Sequence, residues 1–426
     1  MNLLKISTNN LKDKPLTTSL SVLLMALGIA IISLLLLAGK QIEEKFSRNV
    51  AGIDMVIGAK GSPLQLILAS IYQIDSPTGN ISMEEANRLT RSPLVKSTIP
   101  LSMGDSYQGY RIVGSNEKYL AHFQAEFSTG KVFSKAMEIV VGSKVAKNLD
   151  LKVADTFSSQ HGFDKEGETH KEKQFKVVGI LKTTNSVLDA LMITPLESIW
   201  AVHDHDEHHE EETEKGINAL KLLEEDSTEA NGVHSHHEEP HHQDDPKEIT
   251  SLLVKFRNPA MGMMMARSIN QNSTLQTATP AIEINRLFAL LGVGVDALKW
   301  IALVIIIVSG LSVFVSLYNS LKERKYEMAL MLSMGASRTK LFLLLLSEGL
   351  IISVIGFIIG IFLSRFGLWI MSKNVEQNFH YDFNVLSLLT EEFYLFLGAL
   401  FIGLLAAAIP SLGIYNINIS KTLADE

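Results

Sequence analysis

Leu321-Lys-Glu-Arg-Lys-Tyr-Glu-Met-Ala-Leu-Met-Leu-Ser-Met-Gly-Ala-Ser-Arg-Thr-Lys-Leu341 is a charged connector between two apolar runs, and its reading decides the fold. Trp300–Tyr318 precedes it, and Leu341–Leu363, interrupted by one acid at Glu348, follows it. A helix needs about 20 apolar residues to cross roughly 30 Å of hydrocarbon, because every backbone polar group there must be satisfied within the segment. Both runs meet that requirement, and so do Leu16–Ala38 and Phe393–Tyr415. The connector is therefore read as a short loop or helix between the second and third of four membrane spans.

Working outward, Lys and Arg collect at particular ends of these spans: Lys5, Lys12 and Lys14 before the first, Lys322, Arg324, Lys325, Arg338 and Lys340 in the connector, and Lys421 after the fourth. Such residues are retained on the cytoplasmic side. The pattern predicts cytoplasmic termini, with 40–299 and the short 372–392 connection outside. The first run is longer than a signal-peptide core and no small-x-small cleavage site follows it, so it is read as a retained helix. The resulting fold class is an α-helical membrane protein with a large domain inserted between spans 1 and 2. Its expected divisions are 1–39, 40–299 and 300–426.

Composition agrees with this division. Of the 426 residues 46% are hydrophobic but only 7% aromatic, an aliphatic excess suited to lipid-facing helices. The net charge of −8 is local in origin: residues 203–248 hold 16 Asp/Glu against three Lys, a balance of −13 that leaves +5 for the rest. No nucleic-acid partner is indicated. The absence of cysteine excludes disulfides, thiolate metal sites and thiol nucleophiles.

The inserted segment alternates in the manner of half-buried strands at Asp54–Ile57, Tyr110–Gly114, Glu138–Val141, Lys176–Ile180 and Ser251–Phe256. Apolar residues at helical spacing mark Leu64–Ile71, Ser82–Thr90, Lys144–Leu149 and Pro259–Asn270, so the domain is read as mixed α+β. Gln41–Asn49 and Pro280–Lys299 continue the adjoining spans as helices, predicting a stalk. Gly58-Ala-Lys-Gly-Ser-Pro63 lacks the Gly-Lys-Ser/Thr spacing of a phosphate loop and is read as a turn.

Residues 203–248 combine acids with His203, His205, His208, His209, His234, His236, His237, His241 and His242, nine of the chain's thirteen histidines. A segment so poor in apolar residues cannot offset its ordering entropy, which predicts a mobile loop. Imidazole and carboxylate are the usual non-thiol ligands of Zn²⁺, Ni²⁺ and Cu²⁺, so the loop has the donors for a labile metal site. A solvated, acidic, pH-sensitive linker is the alternative reading.

The connector and third span resemble the FtsX-like permease module. Its pattern of Arg-x-x-Glu, then Met-Gly-Ala-Ser-Arg, then a membrane helix bearing a Glu falls here on Arg324, Glu327, Gly335, Ala336, Ser337, Arg338 and Glu348. Ala408-Ile-Pro-Ser and Ile419-Ser-Lys-Thr-Leu are similar to the family's ending. In the inserted segment, Ile139-Val-Val-Gly-Ser-Lys-Val-Ala-Lys-Asn-Leu-Asp-Leu-Lys-Val-Ala-Asp-Thr-Phe157, Phe175-Lys-Val-Val-Gly-Ile-Leu-Lys-Thr-Thr184 and Asp189-Ala-Leu-Met-Ile-Thr-Pro-Leu196 resemble the MacB-like periplasmic core, with Asp54–Gln65 similar to a segment of one subgroup.

The resemblance implies the permease subunit of an ABC transporter in the bacterial inner membrane, working with a cytoplasmic ATPase and a second permease copy, among membrane lipids and with a periplasmic binding or adaptor protein. The six residues from Arg324 to Arg338 would couple to that ATPase. Glu348, Gly356 and Gly360 would serve packing, the two glycines forming a Gly-x-x-x-Gly pair. The implied cargo is a lipid, lipoprotein, peptide or small molecule, with a metal link through the His-rich loop. A non-transporting transmitter that activates an extracytoplasmic partner is the alternative. No Walker, Ser-His-Asp or His-Glu-x-x-His pattern is present, so ATP hydrolysis is assigned to a partner and not to this chain.

Overall fold

The computed structural model describes residues 3–162, 169–203, 247–379 and 383–417. They form two compact units, Met1–Glu44 with Phe288–Glu426, and Lys45–Leu287.

The first unit holds the apolar parts of four helices that are long and apolar enough to cross a membrane: Pro15–Val50, Pro280–Glu323, Arg338–Lys373 and Thr390–Asn416. Each is longer than the apolar run that predicts it. The second has 44 residues, about 66 Å of helix at 1.5 Å per residue and roughly twice the hydrocarbon thickness. Leu16, Leu23, Trp300, Leu311, Phe362 and Phe401 are exposed along these helices, a distribution that suits hydrocarbon surroundings. Contacts between helices use small residues. A Cβ on Gly356 would stand 2.7 Å from Met25 Cγ, and one on Gly360 would stand 2.8 Å from the Ala26 carbonyl oxygen, so only glycine allows the third span to approach the first this closely. Hydroxyls also bridge the first span to its neighbours, with Ser21 Oγ 2.9 Å from Ser312 Oγ of the second span and Ser364 Oγ of the third donating to Ser33 Oγ at 3.0 Å.

The second unit is a mixed α/β domain. Its strands are β1 (Met55–Ala59), β2 (Ile81–Ser82), β3 (Val95–Tyr107), β4 (Tyr110–Ser115), β5 (Phe127–Gly130), β6 (Glu138–Val141), β7 (Thr156–His161), β8 (Thr169–Leu181), β9 (Met192–Pro195), β10 (Glu248–Ile249), β11 (Ser251–Phe256) and β12 (Leu275–Ala278). The principal sheet runs β12-β1-β11-β3-β4-β9-β6-β8-β5, with β7 pairing to both β3 and β8. The pairings β3-β4-β9-β6-β8-β7 and back to β3 thus close a six-stranded ring, in which β4–β9 and β6–β8 are parallel. Ile112, Ile139, Val141, Phe157, Phe175 and Val177 belong to one core cluster of this ring. Met55, Ile57, Leu252, Val254, Phe256 and Ile269 belong to a second, beneath the β12-β1-β11 end.

Local signals explain the helices between the strands. Ser62 accepts from Gln65 N with Pro63 in the first turn, opening Pro63–Ser70, and the Gly58–Pro63 stretch read as a turn leads into that cap. Asn258 accepts from Ala260 N ahead of Pro259–Asn272. Gly142, which precedes the helix Ser143–Asn148, lies against the backbone of Leu188 and Asp189, where a Cβ would come 2.6 Å from the Asp189 carbonyl oxygen. The five strands and four helices read from the sequence are all present. Strands β2, β3, β5, β7, β9, β10 and β12 are not among them.

Candidate functional site

Between the second and third spans the connector folds as a short helix, Lys325–Ser333, followed by a tight turn. Gly335 has φ +95°, a conformation that L side chains rarely adopt. Its N–H donates to Leu332 O at 3.1 Å and the Ala336 N–H to Met331 O at 3.0 Å, the paired bonds of a Schellman helix end. Ser337 then opens the third span, accepting from Lys340 N at its Oγ at 3.4 Å. Met-Gly-Ala-Ser-Arg is thus a helix stop and a helix start within five residues, and the two helices meet without slack.

Charged side chains tie this connector to the rest of the membrane unit. Arg338 donates to Tyr415 O at 3.0 Å and to Ile417 O at 3.4 Å, satisfying carbonyls that the end of the fourth span leaves open. Arg324 lies 3.1 Å from Asp13, 3.8 Å from Glu327 and 4.0 Å from the buried Glu348, and it is largely shielded from solvent. Glu348 accepts a 2.6 Å bond from Asn10 Nδ2. Ser7 and Ser347 Oγ are 2.6 Å apart, and Lys14 pairs with Glu323. The helix Leu3–Asp13 and spans two, three and four therefore converge on the connector. Arg324, Glu327 and Glu348 are brought together, Gly335 to Arg338 form the turn, and Gly356 and Gly360 lie along the third span against the first. Met328 and Ala329 face inward, whereas Tyr326, Leu330 and Met334 are 41%, 44% and 75% exposed.

A second polar cluster, missed by the sequence reading, lies at the opposite end of the third span. Arg365 Nη2 is 2.8 Å from Glu392 Oε2 and 2.8 Å from Ser387 O, while Ser33 Oγ donates to Glu392 Oε1 at 2.7 Å. The available signal was positional: Arg365 falls just past one apolar run and Glu392 just before the next, so a helical hairpin sets them side by side.

Of the nine predicted metal-ligating histidines, His203 alone lies among the described residues. It ends the helix Leu196–His203 and does not begin a loop, because Leu196, Ile199 and Val202 anchor that helix in the domain core. Its Nε2 is 3.3 Å from Asp105 Oδ1. His205, His208, His209, His234, His236, His237, His241 and His242 lie outside the described residues.

Residues 300–419 match the family model of the FtsX-like permease C-terminal region, and residues 18–230 match that of the MacB-like periplasmic core domain. The chain belongs to the FtsX-like permeases with a MacB-like periplasmic core, the membrane subunits of ABC transporters. Solved structures similar to it include the periplasmic region of MacB from Actinobacillus actinomycetemcomitans, at 11% identity over 57% of this chain and 97% of that one, with a TM-score of 0.32. The extracellular domain of the noncanonic ABC-type transporter YknZ from Gram-positive bacteria is similar at 14% identity over 53% of this chain and 99% of that one, with a TM-score of 0.28. A search of curated proteins gave no match.

Proposed function

We propose that the chain carries the motion of a separate cytoplasmic ABC ATPase to the inserted domain, and that Lys325–Ser333 is the element the ATPase grips. The carrying observation is the exposed apolar row Tyr326, Leu330 and Met334, spaced four residues apart on one face of this helix and its end, opposite the inward-facing Met328 and Ala329. Such a row fits a groove on a partner. A helix locked at one end by Arg324 and at the other by Gly335 and Arg338 transmits a push to the spans it joins with little loss. Both termini and this connector then face the cytoplasm, and residues 45–287 face the periplasm. The assembly holds a second permease copy, and its cargo is of the lipid, lipoprotein, peptide or small-molecule class, exported or extracted from the membrane.

The absence of cysteine makes the test direct. In cells, Met334→Cys should be blocked by a membrane-impermeant maleimide only after permeabilisation, whereas Lys152→Cys should react in the intact periplasm. A photo-crosslinking residue at Tyr326, Leu330 or Met334 should capture a protein bearing a Walker motif, and one at Leu386 or Leu388 should not. Capture of no such ATPase from the connector, or labelling of both cysteines from the same side, overturns the reading.

A further inference from the structure

At the seam where β7 closes the ring onto β3, Asp105 and His161 are direct cross-strand partners. The helix Leu196–His203 delivers a second imidazole to the same point. His203 Nε2 lies 3.3 Å and His161 Nδ1 3.8 Å from the same oxygen, Asp105 Oδ1, and the three donor atoms all lie within 4.8 Å of one another. We propose that Asp105, His161 and His203 form a metal site for Zn²⁺ in the folded domain, separate from the histidines of 204–246.

The separations carry the proposal. Tetrahedral Zn²⁺ with bonds of roughly 2.0–2.1 Å sets its ligand atoms about 3.3 Å apart, so the His203–Asp105 pair already stands at the required spacing, the His161–Asp105 pair at 3.8 Å stands near it, and the two imidazoles, within 4.8 Å of each other, must draw together on binding. The donor chemistry fits as well: two imidazoles and a carboxylate, with no thiolate, is a ligand set that zinc accepts while keeping a position open for water or an outside ligand. The backbone is shaped for it. The β3–β4 register shifts between Met103 and Asp105, making Gly104 the extra residue of a bulge that re-aims the Asp105 side chain. Gly104 itself lies beside His203, a Cβ built on it standing 3.8 Å from Nε2. An outer group is also present: the buried Ser159 Oγ donates to Asp105 Oδ2 at 3.1 Å and turns Oδ1 toward the two rings. Asp105 is fully buried, and a dication held between two neutral imidazoles compensates its charge without requiring either ring to be protonated.

This site rests on the inserted domain alone and holds whether or not the connector binds an ATPase. The test uses the full-length chain in detergent, with His205, His208, His209, His234, His236, His237, His241 and His242 all replaced by Asn. Competition for Zn²⁺ against a chelating dye should show one zinc retained per chain, and Co²⁺ should give the intense visible bands of a site of low coordination number. His161→Ala, at a side chain 61% exposed and tolerant of truncation, should weaken zinc binding by at least about 100-fold in this background. Ser159→Ala should weaken it by about tenfold, as loss of an outer-sphere partner does. Unchanged circular dichroism would separate loss of ligand from loss of fold. The proposal is overturned if the Asn-substituted chain binds no zinc, or if His161→Ala leaves its affinity unchanged. Either result would mean that the three side chains are an imidazole–carboxylate cluster only.

Discussion

Buried carboxylates are satisfied in two different ways in the two units of this protein. In the membrane unit Glu392 is held by the Arg365 and Ser33 side chains and by the Leu389 N–H at the start of its own helix, and Glu348 by the Asn10 side chain with Arg324 nearby. In the sheet domain Asp189 takes the backbone N–H groups of Thr184 and Asn185 at 2.8 Å each, and the half-buried Asp54 takes the N–H of Phe256 at 2.7 Å; Asp105, with Ser159, His161 and His203 around it, is the exception. The cause is the supply of donors. Beyond its first turn a membrane helix uses its N–H groups internally, so an acid there draws on side chains, whereas loops and strand ends leave N–H groups to offer. Glu348 and Glu392 are thus coupled to other helices, whereas Asp189 is held by its own loop. The former can report relative motion of helices and the latter cannot.

The sharpest way to break this comparison is Glu392→Ala. Arg365 and Glu392 are only 13% and 6% exposed, so removing the acid strands a buried guanidinium and should cost about 3–5 kcal/mol in denaturant unfolding of the purified full-length chain. Replacing both with apolar residues, Arg365→Met with Glu392→Leu, should recover most of that loss. A single-mutant cost near zero would mean that the pair does not fasten the third and fourth spans. In the sheet domain, Asp189→Ala leaves two backbone N–H groups and the Thr184 hydroxyl without their acceptor and should cost about 2–3 kcal/mol. Its signature is local: hydrogen exchange at Thr184 and Asn185 should accelerate while the membrane helices stay protected. Glu348→Gln should be milder, at about 1 kcal/mol or less, because an amide oxygen still accepts from Asn10 and Arg324 retains Asp13 at 3.1 Å. If Glu348→Gln proves as costly as Glu392→Ala, Arg324 is committed to Glu348 and is not shared among three acids.

The unequal legibility of these features in the sequence has physical causes. The four spans were readable because length and apolarity are demanded by hydrocarbon itself. Gly335 and Ser337 stood out because a helix end and a helix start need those residue types. Arg365 was passed over because the helix continues beyond its apolar run, and a charge at a run's edge looks like a solvated end until its partner is known. Strand β3 escaped because Ile99, Leu101, Ser102, Met103, Asp105 and Ser106 are all buried: a strand with neighbours on both faces does not alternate. Asp105 was hidden with it, and His161 and His203 lie 42 residues apart in the sequence, so only the ring closure unites the cluster. The nine-histidine stretch drew attention by density, which carries no information about geometry.

The smallest effect tests the backbone side of the comparison through pH. Glu138 accepts from Ser134 N at 2.7 Å, Lys135 N at 3.2 Å and Ser134 Oγ at 3.2 Å. The Ser134 backbone bond, reinforced by Lys135 N, the Ser134 hydroxyl and the charge of Lys131, holds its carboxyl below the ordinary glutamate value. A depressed folded-state value means that the unfolded chain takes up the proton first as pH falls. The stabilisation is therefore complete above the unfolded value of about 4.3 and is lost as pH drops through the folded value. Because the group faces solvent, the effect is screened and shallow. In the native chain, hydrogen-exchange protection at Ser134 and Lys135, corrected for intrinsic rates, should fall between about pH 5 and pH 3, the range that brackets an ordinary glutamate. In Glu138→Gln it should be lower at the start and nearly flat across that range. Parallel profiles in the two chains would mean that the turn preceding β6 is held by its own backbone, and that the carboxylate merely occupies a place the loop already offers.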